Sequence, residues 1–132
     1  MQRGLRWAYW GYLAVLTVLL VVPFDAQLAT GGAAIAPQLE GFLPTLGHLV
    51  FYAFAGMLAA VGAEPLRRAV AVVTGHGPLL ELVQAGLPWR SCELGDAVAD
   101  VLGVALGVLL VMALGRGRRS ARAVALEGYR RS

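Results

Sequence analysis

The chain has 132 residues, of which 58% are hydrophobic and only 14% are charged, and its mean hydropathy is +0.69. A soluble domain is typically about 45–50% apolar and about 25% charged, so this chain has too little polar surface for a water-soluble globule. The formal charge of +3 comes from Arg residues that flank the apolar stretches. This distribution predicts a membrane topology and no nucleic-acid partner.

Four apolar stretches follow one another at residues 7–22, 46–63, 69–87 and 97–114, the third interrupted by polar residues. Each is close to the length of about 17–25 residues that a helix needs to cross a bilayer. Continuous rather than alternating apolar runs favour helices over strands. We therefore predict an all-α, polytopic protein. A four-transmembrane-helix bundle would occupy residues 1–115, and a basic tail would occupy residues 116–132.

The two ends of the chain each allow an alternative. The first stretch follows Arg3 and Arg6, as in a signal peptide, but it is long for such a segment. Residues 24–29 also offer no clean A-x-A cleavage site, which favours an uncleaved first helix. The tail is either a juxtamembrane segment drawn to anionic lipid or a disordered topogenic tail.

The positions of the Arg residues predict the orientation of the bundle. If the chain crosses four times, ten of its eleven Arg residues fall on one side, which the positive-inside rule places in the cytoplasm. Both termini would then be cytoplasmic. The exception is Arg90, which we expect to pair with Asp96 or Glu81. The first outer connection, residues 24–45, could hold a short interfacial helix near residues 33–42.

Polar side chains in the second, third and fourth stretches lie at matching depths in the outer half of the predicted bundle. A charge at the bilayer centre costs about 2.5–3.5 kcal/mol, so such groups should face the bundle interior and find partners. Residues three or four positions apart share a helix face, which gathers these side chains into one pocket. The predicted ligand-binding residues are His48, Tyr52, Glu81, Gln84, Arg90, Asp96 and Asp100.

Other residues in these stretches are more typical of packing. Gly103 and Gly107 form a small-xxx-small pair, which favours close approach of helices within the chain over a dimer interface. His76 lies deeper, in a Gly- and Pro-containing segment that invites a kink, and we expect it to be a structural histidine. The single cysteine, Cys92, excludes an internal disulfide and any CxxC motif.

Three motifs resemble the VanZ-like family of bacterial membrane proteins. Residues 48–56 resemble its H-x-x-x-Y-x-x-x-G segment, residues 80–91 its E-x-x-Q and P-x-R segments, and residues 96–107 its D-x-x-x-N-x-x-G-x-x-x-G segment. Three positions depart from the pattern. Asp100 stands where the family usually has Asn, and Pro44 and Thr45 stand where it commonly has Asp-Lys.

The resemblance implies a cell-envelope protein of the inner membrane. It also implies a link to tolerance of glycopeptide-type antibiotics, because the family is named for a member that confers low-level teicoplanin resistance. The leading hypothesis is a pocket that faces the outer leaflet and binds or processes a polar lipid head group or a lipid-linked envelope precursor. His48 and Arg90 would hold an anionic group. The sequence predicts no cofactor and no bound metal.

Two rival functions stay open. The first is a membrane-embedded hydrolase or transferase, in which His48, Glu81, Asp96 and Asp100 would supply acid/base catalysis or hold a hard divalent cation. No serine or cysteine nucleophile signature accompanies these four candidate catalytic residues, which disfavours a classical enzyme. The second rival is an accessory or scaffold protein whose polar cluster only joins its helices.

Overall fold

The computed structural model of the chain describes residues 2–22, 42–62, 65–88 and 93–130. The regular secondary structure within these ranges is all helical: α1 spans Gln2–Val21, α2 Phe42–Ala60, α3 Leu66–Gln84 and α4 Leu94–Arg130. The predicted all-α fold is confirmed. Each helix begins three to five residues before the predicted apolar stretch, because the residues that flank the stretch form the first helical turn. The suggested interfacial helix near residues 33–42 lies almost wholly outside the described residues.

The end of the bundle domain that the sequence suggested at residue 115 is not marked by a break in the helix. The backbone of α4 continues as one helix of 37 residues to Arg130. The described backbone of residues 116–130 is therefore an extension of α4.

Three of the helices are long and apolar enough to cross a membrane, over Arg3–Val21, Phe42–Ala60 and Leu94–Arg116. The third helix, α3, also has 19 residues but does not meet this criterion. It carries Arg67, Arg68 and Glu81, which lower its apolarity. Large apolar side chains are exposed on all four helices, and the most exposed of them, Leu94, is 80% exposed. Such extensive exposed apolar surface is typical of a protein in contact with lipid.

Hydrogen bonds between the helices establish their relative directions. On α1 and α3, the Tyr9 hydroxyl donates to the Ala69 carbonyl, and the Gln84 amide donates to the Leu20 carbonyl. The N-terminal ends of the two helices therefore lie together, as do their C-terminal ends, and the two helices are parallel. On α2 and α4, Thr45 contacts Asp96 and Gly107 lies against Ala53, so this pair is also parallel.

The two pairs run in opposite directions. Glu81 near the end of α3 accepts a hydrogen bond from Glu93 just before α4, and its neighbour one turn earlier, Gly77, lies against Asp100. The bundle is thus an up-down-up-down arrangement. Its geometry places the start of α1, the start of α3 and Arg116 of α4 at one end, which therefore carries all of the described Arg residues.

Glycines allow α2 and α4 to approach at backbone contact. A Cβ at Gly56 would collide with the Val104 carbonyl, and one at Gly103 or Gly107 would collide with backbone carbonyls of α2. Because the colliding atoms belong to the main chain, no rotamer change could relieve the clash. The small-xxx-small pair therefore packs within the chain, as the sequence predicted.

Candidate functional site

A cluster of buried polar side chains occupies the end of the bundle opposite the described Arg residues. His48 and Asp100 each lie six residues after the first residue of their parallel helices, about 9 Å along the axis, so their depths match. Glu81 reaches the same level from α3, three residues before its end. The buried polar side chains at this end, each no more than 8% exposed, are His48, Glu81, Gln84, Asp96 and Asp100.

His48 is the centre of the cluster. Its Nδ1 lies 2.9 Å from Asp100 Oδ1, where the imidazole N–H donates to the carboxylate, and its Nε2 lies 3.7 Å from Asp96 Oδ2. Both aspartates come from α4, one turn apart. The imidazole is therefore held between two carboxylates, which favours one fixed ring orientation.

Asp100 has one satisfied and one unsatisfied oxygen. Asp100 Oδ2 has no hydrogen-bond partner among the described residues. It is also shielded from solvent, because the whole residue is only 1% exposed. This oxygen faces α3 at Gly77, where a Cβ would overlap the carboxylate. An unpaired buried carboxylate oxygen is costly, since burial removes its water and nothing replaces it.

Glu81 and Asp96 have partners that the sequence did not identify. The backbone N–H of Glu93 donates to Glu81 Oε2 at 3.0 Å, and the Thr45 hydroxyl donates to Asp96 Oδ1 at 2.6 Å. Thr45 precedes His48 by three residues and so shares its helix face, which is the signal that could have revealed it.

Two predicted site residues make their hydrogen bonds elsewhere. Gln84 shares the face of Glu81, but its amide donates to the Leu20 carbonyl at 2.8 Å and so joins α3 to α1. The Tyr52 ring stacks parallel to that of His48, with centroids 6.5 Å apart. Its hydroxyl, however, lies 2.7 Å from His76 Nδ1.

His76 joins three helices below the cluster. Thr17 donates to the Leu13 carbonyl at 2.8 Å, so its hydroxyl oxygen remains free to accept from His76 Nε2 at 2.9 Å. His76 Nδ1 then accepts from the Tyr52 hydroxyl. The neutral tautomer of His76 with its proton on Nε2 satisfies all of these hydrogen bonds, which supports a structural role for this histidine. The contribution of Thr17 was not apparent from the sequence.

The sequence also assigned Arg90 to the site. Arg90 lies outside the described residues, as do Asp25, Glu40 and Cys92. Its pairing with Asp96 or Glu81 stays a prediction. Within the described part of the chain, the cluster holds three carboxylates and one imidazole.

An open groove between α1 and α2 leads to the cluster. Its volume is about 360 Å³, and its walls are largely apolar, with Leu16, Leu20 and Phe51 among the lining residues. His48 also lines this groove. The polar cluster is thus reached from the side of the bundle through a surface suited to an apolar chain.

The described fold and cluster define a class: an all-helical protein with three helices able to cross a membrane and a buried histidine–carboxylate cluster at one end. No protein-family model matches the chain, and neither the curated proteins nor the solved structures include a significant match to it.

Proposed function

We propose that all four helices span a bacterial inner membrane, with both termini in the cytoplasm. The 19 residues of α3 extend for about 28 Å, nearly the thickness of the hydrocarbon core. Hydrogen bonds join α3 to α1 near both of its ends, which favours a parallel neighbour of equal depth. The described Arg residues gather at one end, which the positive-inside rule assigns to the cytoplasm.

In this orientation the cluster opens to the outer leaflet, and the protein binds or processes a polar lipid head group or a lipid-linked envelope precursor. The observation that carries this proposal is the groove between α1 and α2, because its apolar walls end at His48. An amphiphile could lay a hydrocarbon chain in the groove and place its polar part against the cluster. A VanZ-like identity, and with it a link to glycopeptide tolerance, is part of the same proposal and rests on the three sequence motifs.

The charges of the cluster restrict the ligand. Three carboxylates surround one imidazole among the described residues, and a buried carboxylate requires a cation or hydrogen-bond donors. The ligand is therefore expected to bring a positive group, either an ammonium of its own or a bound divalent cation. Arg90 keeps its proposed role of holding an anionic group.

A metal-dependent hydrolase or transferase is the second candidate. One observation favours it: a ligand atom from each of His48, Glu81 and Asp100 lies within 4.8 Å of the others. Such a grouping could activate a water molecule if an ion were bound. A scaffold role is less well supported, since a cluster that only joins helices would have no need of a lateral groove.

Lipid binding to the purified protein tests the proposal. The probes are phosphatidylethanolamine, which carries an ammonium, and phosphatidylglycerol and a long-chain isoprenyl phosphate, which are supplied with Mg²⁺ as the divalent cation. Each is added to protein in detergent and followed by native mass spectrometry. Gly47→Leu fills the groove, because Gly47 lines it and a Cβ there meets only ordinary contact with Phe51. Gly75→Leu is the matched control, since Gly75 is open and lies on another face of the bundle.

The native protein and Gly75→Leu should retain at least one of the three lipids, and Gly47→Leu should lose it. Retention by all three proteins would mean that the lipid binds elsewhere, and no retention by the native protein would exclude a lipid ligand of these classes. Either result would overturn the proposal.

A further inference from the structure

We infer that His48, Glu81 and Asp100 form a binding site for a divalent transition-metal ion. The three residues come from three different helices, so only the folded bundle brings them together. From sequence we expected no bound metal. The juxtaposition of these side chains in the fold points to the opposite conclusion.

The geometry is close to that of a metal centre. One ligand atom from each residue lies within 4.8 Å of the other two. Ligands bound at about 2.0–2.2 Å from an ion lie roughly 3–4 Å apart, so side-chain rotations that move the ligand atoms by about 1 Å would complete the set. The 2.9 Å separation of His48 Nδ1 and Asp100 Oδ1 already matches neighbouring ligands on one ion.

A second observation, separate from the grouping, also points to a cation. Within the described residues, Asp100 Oδ2 is the one buried side-chain oxygen that has no hydrogen-bond partner. It faces α3, the helix that carries Glu81 one turn further on. The glycine at position 77 makes the space for this carboxylate, so the chain maintains an arrangement that leaves the oxygen unsatisfied. A metal ion would satisfy it.

The neighbouring residues supply what a ligating histidine requires. Such a histidine usually donates its second ring N–H to a carboxylate, which fixes the tautomer. If His48 Nδ1 binds the ion, its Nε2–H faces Asp96 Oδ2, now 3.7 Å away. Asp96 is in turn held by the Thr45 hydroxyl. Asp96 is therefore a positioning residue for the metal site.

The donor set selects the class of ion. One imidazole nitrogen with two carboxylates suits Zn²⁺ or Mn²⁺ better than it suits Ca²⁺ or Mg²⁺, because Ca²⁺ and Mg²⁺ favour sites made only of oxygen ligands. The inference deepens the proposed function, because a bound ion could hold the phosphate of a head group at the end of the groove. The ion site itself rests only on the three side chains.

The test uses the full-length protein in detergent, first stripped with chelator and then given Zn²⁺ or Mn²⁺ alone. Retained metal is measured after desalting, and affinity is measured by calorimetry. The native protein should retain about one ion per chain. His48→Gln and Glu81→Gln should retain none, while Asp96→Asn should bind about 10–100-fold more weakly because it only orients His48.

Two matched controls use the same substitutions elsewhere. His76→Gln replaces the only other histidine of the chain, and Glu93→Gln changes an exposed side chain while keeping the backbone N–H that contacts Glu81. Both controls should bind metal as the native protein does. Co²⁺ adds a signature, since its visible absorption should report nitrogen ligation that disappears in His48→Gln.

Failure of the native protein to retain either ion would overturn the inference whatever the variants do. Equal binding by the native protein and His48→Gln would also overturn it, because the ion would then lie elsewhere. These outcomes are separate from those of the lipid experiment. Metal without lipid would refute only the proposed function, and lipid without metal would refute only this inference.

Discussion

Replacing Gly77 by Ala tests how the cluster is built. The new methyl group would occupy the space of the Asp100 carboxylate, which Gly77 now admits. Gly75, two residues earlier on the same helix, has no atom within 4 Å of an added Cβ. Gly75→Ala is therefore a matched control that carries the same change in helix propensity without the collision.

The expected cost follows from the two ways of relieving the collision. Forcing an extra methyl into a packed site costs about 1–3 kcal/mol. Moving Asp100 aside instead breaks its 2.9 Å hydrogen bond to His48, and a bond to a charged group contributes about 1.5–3 kcal/mol. The collision will be relieved in whichever of these two ways costs less free energy. Gly77→Ala should therefore be less stable than Gly75→Ala by about 2 kcal/mol, well over a tenfold change in the folding equilibrium.

The free energy of unfolding can be measured by denaturant titration in mixed micelles, followed by circular dichroism. A double-mutant cycle adds Asp100→Gly, which removes both the carboxylate and the Asp100 Cβ, because that Cβ would itself lie 2.6 Å from the added methyl group. In that background Gly77→Ala should cost almost nothing, giving a coupling energy of about 2 kcal/mol. Equal stability of Gly77→Ala and Gly75→Ala, or an undiminished cost without the carboxylate, would refute the described contact.

Two further predictions concern helix packing and topology. Gly107→Ala places a methyl against the Ala53 carbonyl, so α2 and α4 must separate, and the loss of unfolding free energy should be about 1–3 kcal/mol in the same titration. Gly115→Ala, which meets nothing within 4 Å, should be nearly neutral, and equal effects of the two would contradict the close approach. The proposed topology places Cys92, the single cysteine, outside the cytoplasm, so a membrane-impermeant maleimide should label it in intact cells. Labelling only after lysis would reverse the orientation, and Cys92→Ser measures the background.

The local sequence was sufficient to predict the four helices and the depth of the polar side chains along them. The four apolar stretches predicted α1 to α4, because a run of this length and continuity is stable only as a helix in lipid. The spacing of His48 and Tyr52, and of Asp96 and Asp100, put each pair on one face. The spacing of Gly103 and Gly107 likewise predicted a close helix contact, since a glycine pair four residues apart leaves a groove whatever its partner.

The chain by itself therefore determined the helices, their apolar character and which side chains share a face, since these depend on neighbours a few residues away. Only the tertiary structure decided which groups meet. It turned Gln84 toward α1, placed Thr45 on Asp96 and left Asp100 Oδ2 without a partner. Such contacts join residues 50 or more positions apart, and they depend on the rotation of each helix about its axis. That rotation is set by packing across the whole bundle, which no local spacing encodes.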